Sequence, residues 1–196
     1  MGFMIFISGP SGVGKSTISK LIADKHSYVL FKQDDYFIPN DQKPRVVLSD
    51  GSEARNWDTY RSLDMERFNE DILRARFYIG GIILVEGFSL EIMKVVPDIH
   101  IHLSYVDSER VEDIALNNVL IAKRMIESRK LSKPNIKNDH LMVREIVLPH
   151  YLDSLPYSRF TYVIPTYIGD DRIPLDQLLN RIERLIFQTK GYLNFT

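Results

Sequence analysis

Eight consecutive residues near the start of the chain have the types and spacing of a phosphate-binding loop. They fit the pattern G-x-x-x-x-G-K-[ST], and Thr17 follows them: Gly9, Pro10, Ser11, Gly12, Val13, Gly14, Lys15 and Ser16. Small residues allow backbone N–H groups to turn inward around phosphate oxygens, and the helix expected to follow adds the positive end of its dipole. The run therefore predicts a site for the phosphates of ATP, formed by residues 9–17.

A metal site is expected beside this loop. Lys15 would place its charge on the β- and γ-phosphates, and the Ser16 hydroxyl would bind Mg²⁺. Glu86 ends the apolar run 82–85, and the carboxyl ends of parallel strands meet at one edge of a sheet. Ser16 and Glu86 are thus the predicted Mg²⁺ ligands, and a capping or solvated Glu86 is the alternative.

An acidic pair follows the second apolar run, at residues 28–32. The next five residues read Gln-Asp-Asp-Tyr-Phe, and they would begin at the same sheet edge as the phosphate loop. Asp34 could accept the proton of an attacking hydroxyl while Lys15 and Mg²⁺ hold the group being transferred. We therefore expect Asp34 to be a catalytic base, with an Asp turn after a strand as the alternative.

Short apolar runs alternate with segments of helical spacing. The runs, rich in Ile, Val, Phe and Tyr, are residues 3–8, 28–32, 82–85, 99–105 and 160–164. The helical segments are residues 16–26, 64–77, 107–129, 139–153 and 175–189. This order predicts one α/β domain over residues 1–196, a three-layer sandwich around a five-stranded parallel sheet.

Two stretches lack regular spacing and are expected to be long surface loops. They are residues 38–56 and 130–138, which are rich in Pro, Asn, Gly or Lys. We expect an acceptor-side loop at about 36–63 and a lid at about 122–138, with disorder as the alternative.

Composition excludes several classes of function. The chain has 25 basic and 26 acidic residues, so its net charge of −1 favours neither nucleic acid nor an anionic membrane surface. It contains no cysteine, which excludes a cysteine nucleophile, disulfides and thiolate metal sites. The expectation is a cytoplasmic protein, monomeric or homodimeric, whose partner is a small molecule.

Five segments together resemble the uridine kinase and nicotinamide riboside kinase family of P-loop nucleoside kinases. They are the phosphate loop, residues 33–37, Asn56-Trp57-Asp58 with Asp64 beyond it, residues 84–88 and residues 147–152. The resemblance implies ATP- and Mg²⁺-dependent transfer to the 5′-hydroxyl of a ribonucleoside-like acceptor. It also implies that Asp34 is the base and that Asp35 supports it or contacts metal-bound water.

The same resemblance implies acceptor contacts. Asp58 would hold the ribose hydroxyls, Trp57 would stack on the base or pyridine ring, and Tyr36 would lie in the substrate-binding segment. A carboxylate can bind two vicinal hydroxyls, and an indole face suits a flat ring, especially a cationic one. A tryptophan that only anchors the core is the alternative for Trp57.

Basic residues near the end of the 107–129 segment resemble the lid arginines of this family. Arg124 and Arg129 would meet negative charge that develops on the transferring phosphoryl group, so both are expected to be catalytic. A solvated basic helix end is the alternative.

The number of residues between Asp64 and Glu86 helps to choose between acceptors. Uridine kinases usually insert a hairpin here, whereas this interval has room for one helix and one strand, the shorter nicotinamide riboside kinase pattern. The alternatives are uridine or cytidine, another small hydroxylated metabolite such as a sugar acid, or a nucleotide-binding switch without catalysis. His100 and His102 share a strand face and are expected to be packed or hydrogen-bonded rather than zinc ligands.

Overall fold

A computed structural model describes residues 1–88, 90, 93–132 and 139–193 of the chain. Residues 133–138, the greater part of the loop expected at 130–138, lie outside the described residues. The rest of the expected lid, residues 122–132, belongs to a helix.

Strands in the described residues form one large sheet and two small hairpins. In chain order they are β1 (Phe3–Ser8), β2 (Val29–Lys32), β3 (Arg45–Val47), β4 (Glu53–Arg55), β5 (Ile82–Gly87), β6 (Ile99–Ser104), β7 (Tyr162–Pro165), β8 (Tyr167–Ile168) and β9 (Asp171–Arg172). The large sheet has the order β2-β5-β1-β6-β7, and every neighbouring pair is parallel. The predicted five-stranded parallel sheet is confirmed.

Helices cover both faces of this sheet. They are α1 (Lys15–His26), α2 (Met65–Tyr78), α3 (Val111–Leu116), α4 (Asn118–Ser132), α5 (Asp139–Met142), α6 (Leu148–Ser154) and α7 (Leu175–Leu193), with short 3₁₀ turns at Gln33–Tyr36, Asn40–Gln42, Tyr60–Ser62 and Leu155–Tyr157.

Strand β1 shows why the sheet is buried on both faces. Ile5 and Ile7 belong to the larger core cluster, which includes residues of α1, α4, α6 and α7. Met4 and Phe6 point the other way, into a smaller cluster with residues of α2. Because side chains alternate along a strand, a continuous apolar run fills both layers of core. The three-layer α/β architecture is therefore the observed one.

The segment 38–56 is not the irregular loop that its composition predicted. It forms the antiparallel hairpin β3–β4, whose turn is closed by the Ser52 N–H donating to Asp50 Oδ1 at 2.9 Å. Gly51 supplies the positive φ of 81° that the turn requires. Leu48 is buried beside the turn. Three-residue strands are too short to show an alternating pattern, so the sequence concealed the hairpin.

Two predicted helices are interrupted. The 107–129 segment breaks at Asn117, where the backbone leaves the helical region between α3 and α4. The 139–153 segment contains a π-helical turn, Val143–Val147, between α5 and α6. Pro149 has no N–H to donate to the carbonyl four residues earlier, which accounts for a widened turn at this point.

Within the described part of the chain, no helix combines the length and the apolar character needed to cross a bilayer.

Candidate active site

The phosphate loop lies between the end of β1 and the start of α1, at the carboxyl edge of the sheet. Gly14 precedes the first helical residue with a φ of 108°, and Gly12 has a φ of 82°. A Cβ on Gly12 would stand 2.6 Å from the Ser128 Cβ, so α4 packs directly on the loop. Glycine is required at position 12 by both the backbone conformation and the close approach of α4.

Lys15 and Ser16 are the first two residues of α1. The Lys15 ammonium folds back over the loop and donates to the Pro10 carbonyl at 3.1 Å. Thr17 is exposed in the first helical turn, and Val13 is buried beneath the loop. The N–H groups at this helix start have no helical acceptors, which is the arrangement that binds phosphate.

The two predicted Mg²⁺ ligands lie side by side. The Ser16 hydroxyl donates to Glu86 Oε1 at 3.2 Å, although the residues are 70 positions apart. Glu86 is the penultimate residue of β5 and is only 3% exposed. Burial raises the pKa of Glu86, whereas the Lys15 charge lowers it and the Asp34 charge raises it. A carboxylate and a hydroxyl are hard oxygen ligands, so these residues fit a magnesium ion, whose charge would offset the desolvation of Glu86.

Asp34 is brought to the same place by sheet register. Lys32 on β2 pairs with Glu86 on β5, and the 3₁₀ turn Gln33–Tyr36 follows at once. Asp34 is exposed and borders one cavity with Lys15, Ser16 and Glu86. Residues that were expected to share one site, Lys15, Ser16, Asp34 and Glu86, therefore line one cavity in the structure.

Its two neighbours in the motif lie elsewhere. Asp35 is exposed and is not among the residues that line this cavity. Tyr36 is buried, packs on Phe68 with ring centroids 4.6 Å apart, and donates from its hydroxyl to Asp71 at 3.1 Å. Tyr36 thus anchors the turn to α2 from the core side.

The cavity has a volume of about 210 Å³ and joins the phosphate loop to the acceptor-side segment. Asp58 lies at its wall, with apolar and aromatic side chains around it: Phe37, Trp57, Tyr60, Leu63 and Phe88. Gln33, buried below, accepts from the Phe88 N–H at 2.7 Å and so fixes one wall. The cavity thus has polar residues beside the phosphate loop and aromatic residues around Asp58. This combination suits a small acceptor that has a hydroxyl group and a flat or apolar part.

Arg129 on α4 lies between the phosphate loop and the segment that contains Asp58. It is 5% exposed, and its guanidinium forms a two-pronged ion pair with Asp139, with Nε at 2.8 Å from Oδ2 and Nη2 at 2.7 Å from Oδ1. Nη1 also donates to the Ser11 hydroxyl at 3.2 Å and lies 3.8 Å from Asp58 Oδ2. Arg129 is therefore held between the phosphate loop and the acceptor segment. Asp139 was missed because its partner Arg129 is ten residues away in the sequence and belongs to another helix.

Arg124 does not reach this cavity. Its guanidinium donates to the Tyr105 and Gly169 carbonyls and lies 3.9 Å from the Tyr167 ring centroid. It braces the end of β6 against the hairpin β8–β9. The expectation that Arg124 would face the transferring group is not supported by this placement, because α4 turns positions 124 and 129 toward different neighbours. Another arginine, Arg172 on β9, matches no motif in the sequence, yet its Nη2 lies 3.3 Å from where a Gly14 Cβ would stand.

Trp57 lies at the acceptor end of the cavity and is 43% exposed. The Phe37 ring meets it edge-on, with centroids 5.2 Å apart. The Lys43 ammonium lies 3.9 Å from the Trp57 ring centroid and donates to the Ile38 carbonyl. Trp57 is therefore a cavity-lining aromatic with a cation against it, not a core anchor.

His100 and His102 are buried in β6 below the phosphate loop. The Ser8 hydroxyl is within hydrogen-bond distance of His100 Nε2 (2.8 Å) and His102 Nδ1 (3.0 Å), and His102 Nε2 reaches the Tyr151 hydroxyl at 2.9 Å. Burial lowers the pKa of His100 to about 4 and the pKa of His102 well below its usual range. Both imidazoles are packed and hydrogen-bonded, as the sequence analysis expected.

Comparison with known proteins finds a curated protein and a solved structure to which the chain is similar. No protein-family model matches the sequence. The chain is similar to shikimate kinase 2 of Photorhabdus laumondii, 30% identical over 86 residues that make up 43% of this chain and 48% of that protein. The match thus spans about half the length of this curated relative. A gluconokinase crystal structure from Sinorhizobium meliloti aligns over 95% of this chain and 97% of its own, with 18% identity and a TM-score of 0.46. The resemblance to uridine and nicotinamide riboside kinases rests on the sequence motifs alone.

Proposed function

We propose that this chain is an ATP- and Mg²⁺-dependent kinase that phosphorylates a hydroxyl group of a small metabolite. One observation carries the proposal: Lys15, Ser16 and Glu86 of the donor side and Asp34 border the same cavity. A nucleotide-binding switch would not need an acid and an acceptor cavity beside its phosphate loop. The 30% identity with a shikimate kinase over 86 residues supports the same general chemistry.

The residues of the chain would share the work of phosphoryl transfer. ATP would supply the phosphoryl group, and a Mg²⁺ ion held by Ser16 and Glu86 would neutralise part of its charge. The loop N–H groups and Lys15 hold the phosphates, and Ser16 and Glu86 hold the metal. Asp34 accepts the proton of the acceptor hydroxyl as its oxygen bonds to phosphorus and ADP leaves. Arg129, beside Ser11 in the loop, stabilises charge on the group in transfer.

For the acceptor we propose a ribonucleoside-like molecule phosphorylated at its 5′-hydroxyl, and nicotinamide riboside is the candidate that the sequence motifs favour. Supporting this, the interval from Asp64 to Glu86 contains only α2 and β5 as regular elements, the short pattern of nicotinamide riboside kinases. Asp58 and Trp57 line the cavity wall, where they could meet ribose hydroxyls and a ring.

An acceptor without a positive ring is the candidate that the contacts of Trp57 favour. Uridine, cytidine or a hydroxylated acid such as shikimate would not bring a cation to Trp57. The observation that favours this class is the Lys43 ammonium at 3.9 Å from the Trp57 ring centroid.

The test is acceptor-dependent ADP formation. Purified protein with ATP and Mg²⁺ is offered nicotinamide riboside, uridine, cytidine, shikimate and gluconate, one at a time. We expect one acceptor to raise ADP formation far above the rate without acceptor, and Asp34→Asn to lower that turnover about 10²-fold or more while ATP still binds. Asp24→Asn, an exposed acid on α1, is the matched control. A rate that no acceptor raises, or that Asp34→Asn leaves intact, would contradict the proposal.

A further inference from the structure

We propose that Lys43 sets the charge selectivity of the acceptor site, so that the site favours rings without a net positive charge over cationic rings of the same shape. The inference deepens the proposed function and rests on it for the identification of this cavity as the acceptor site. None of the sequence motifs includes Lys43.

The placement of Lys43 is the first support. It is 3% exposed, an unusual degree of burial for lysine. Its ammonium lies 3.9 Å from the Trp57 ring centroid and 5.2 Å from that of Phe37, and it donates to the Ile38 carbonyl. Desolvation lowers the pKa of Lys43, and the Asp41 charge offsets part of that effect. A carbonyl oxygen and two ring faces are further partners that favour the charged form of the side chain.

The open part of Trp57 is the second support. Trp57 is 43% exposed and lines the cavity with Phe37, whereas Lys43 is not among the lining residues. The buried ammonium covers a part of the indole that solvent does not reach, which leaves the exposed part of the indole for a ring in the cavity. A ring stacked on that exposed part would lie against an indole that already holds a positive charge.

Electrostatics then sets the direction of the effect. An indole face attracts a cation through its quadrupole, and Lys43 already uses that attraction. A positive ring stacked on the exposed part of the indole would lie within roughly 7 Å of the ammonium, close enough for repulsion that a neutral ring does not meet. At this partly exposed site we expect the penalty on a cationic ring to be about tenfold in relative kcat/KM. The cation-stacking role that the sequence suggested for Trp57 is thus opposed by its neighbour.

The first experiment compares two acceptors of nearly the same shape. Nicotinamide riboside carries a positive pyridinium, and nicotinic acid riboside balances the same ring with a carboxylate. We expect Lys43→Gln, which can still donate to Ile38, to raise the ratio of kcat/KM for the cationic over the neutral riboside about tenfold. Lys43→Arg keeps the charge and should leave the ratio near that of the wild type. The acidic residues that line the cavity are the same in the wild type and in both Lys43 variants. Their attraction for cations therefore does not change the ratio of kcat/KM values from one protein to another.

The second experiment needs no turnover, because Trp57 is the only tryptophan of the chain and its fluorescence reports on this site alone. The probes are the N-methylnicotinamide cation and neutral acrylamide, both quenchers of indole emission. Lys43→Gln should raise the ratio of cation to acrylamide quenching constants several-fold, and Lys43→Arg should not. Should Lys43→Gln fail to fold, Lys43→Met fills the same space without charge and takes its place.

The two experiments separate the two proposals. A raised quenching ratio with no acceptor turned over would support the repulsion of cations from Trp57 by Lys43, but it would refute the proposed kinase function and with it the role of Lys43 in acceptor choice. Acceptor-dependent turnover with the same ratios in the wild type and the folded uncharged variant would support the kinase and overturn the role of Lys43.

Discussion

The buried histidine pair below the phosphate loop should make the stability of the fold sensitive to mild acid. His100 and His102 are neutral in the folded chain, where they bond to Ser8 and Tyr151. Burial lowers the pKa of His100 from 6.5 to about 4. An imidazole in the unfolded chain gains a proton near pH 6.5, its ordinary pKa. The native imidazole of His100 gains one only near pH 4. The unfolded state therefore binds more protons in this window, so the free energy of unfolding falls as the pH drops.

The size of the effect follows from the difference between the folded and unfolded pKa values. A difference of one in pKa corresponds to about 1.4 kcal/mol, so His100 alone should lower the free energy of unfolding by about 2 kcal/mol between pH 7 and pH 5. At about pH 4 the loss approaches roughly 3 kcal/mol. His102 acts in the same direction, since its pKa is also lowered. Such a loss is a large fraction of the roughly 5 to 15 kcal/mol by which folded domains are typically stable.

Urea unfolding at several pH values between about 7 and 5 measures this directly. His100→Asn lowers stability at every pH because it loses packing, but the slope of the free energy of unfolding against pH should become shallower by the contribution of one histidine. Ile101→Val, which loosens the packing of the same strand but removes no titratable group, should lower stability at every pH and keep the wild-type slope. Equal slopes in the wild type and His100→Asn would refute the reasoning, because the native imidazole would then titrate as it does in the unfolded chain.

Three further substitutions test the site. Arg129→Lys removes the two-pronged pair with Asp139, and we expect turnover to fall about 10² to 10³-fold while the Kd for ATP, measured by calorimetry, changes only a few-fold. Glu86→Gln should raise the Mg²⁺ concentration for half-maximal activity about tenfold or more, because a neutral amide attracts the ion less; an unchanged Mg²⁺ titration would remove Glu86 from the metal site. Gly12→Ala places a Cβ 2.6 Å from the Ser128 Cβ in a left-handed backbone, so nucleotide binding should be lost in a thermal-shift assay, and retained ATP stabilisation would contradict the packing of α4 on the loop.

The features that local spacing encodes were correctly predicted. The phosphate loop is contiguous, and its glycines and Lys15 can be read without knowing any partner. The five apolar runs predicted the parallel sheet because a strand buried on both faces needs continuous apolar residues. Placing Glu86 and Asp34 at the loop needed only the rule that carboxyl ends of parallel strands share one edge, and the register of β2, β5 and β1 brings them there.

What only the tertiary structure decided is how side chains on irregular segments meet. Arg124 and Arg129 look alike in the sequence, but one braces β6 against β8–β9 and the other contacts Ser11 in the phosphate loop. Lys43 lies in a segment whose composition predicted a loop, yet packing of the hairpin region places its charge against Trp57. Such contacts depend on side-chain rotamers and on the close approach of segments that are far apart in the sequence. No local pattern of apolar residues encodes them. The sequence by itself determined the residues of the proposed donor half of the site, and the packing of these segments decided the charge beside the proposed acceptor cavity.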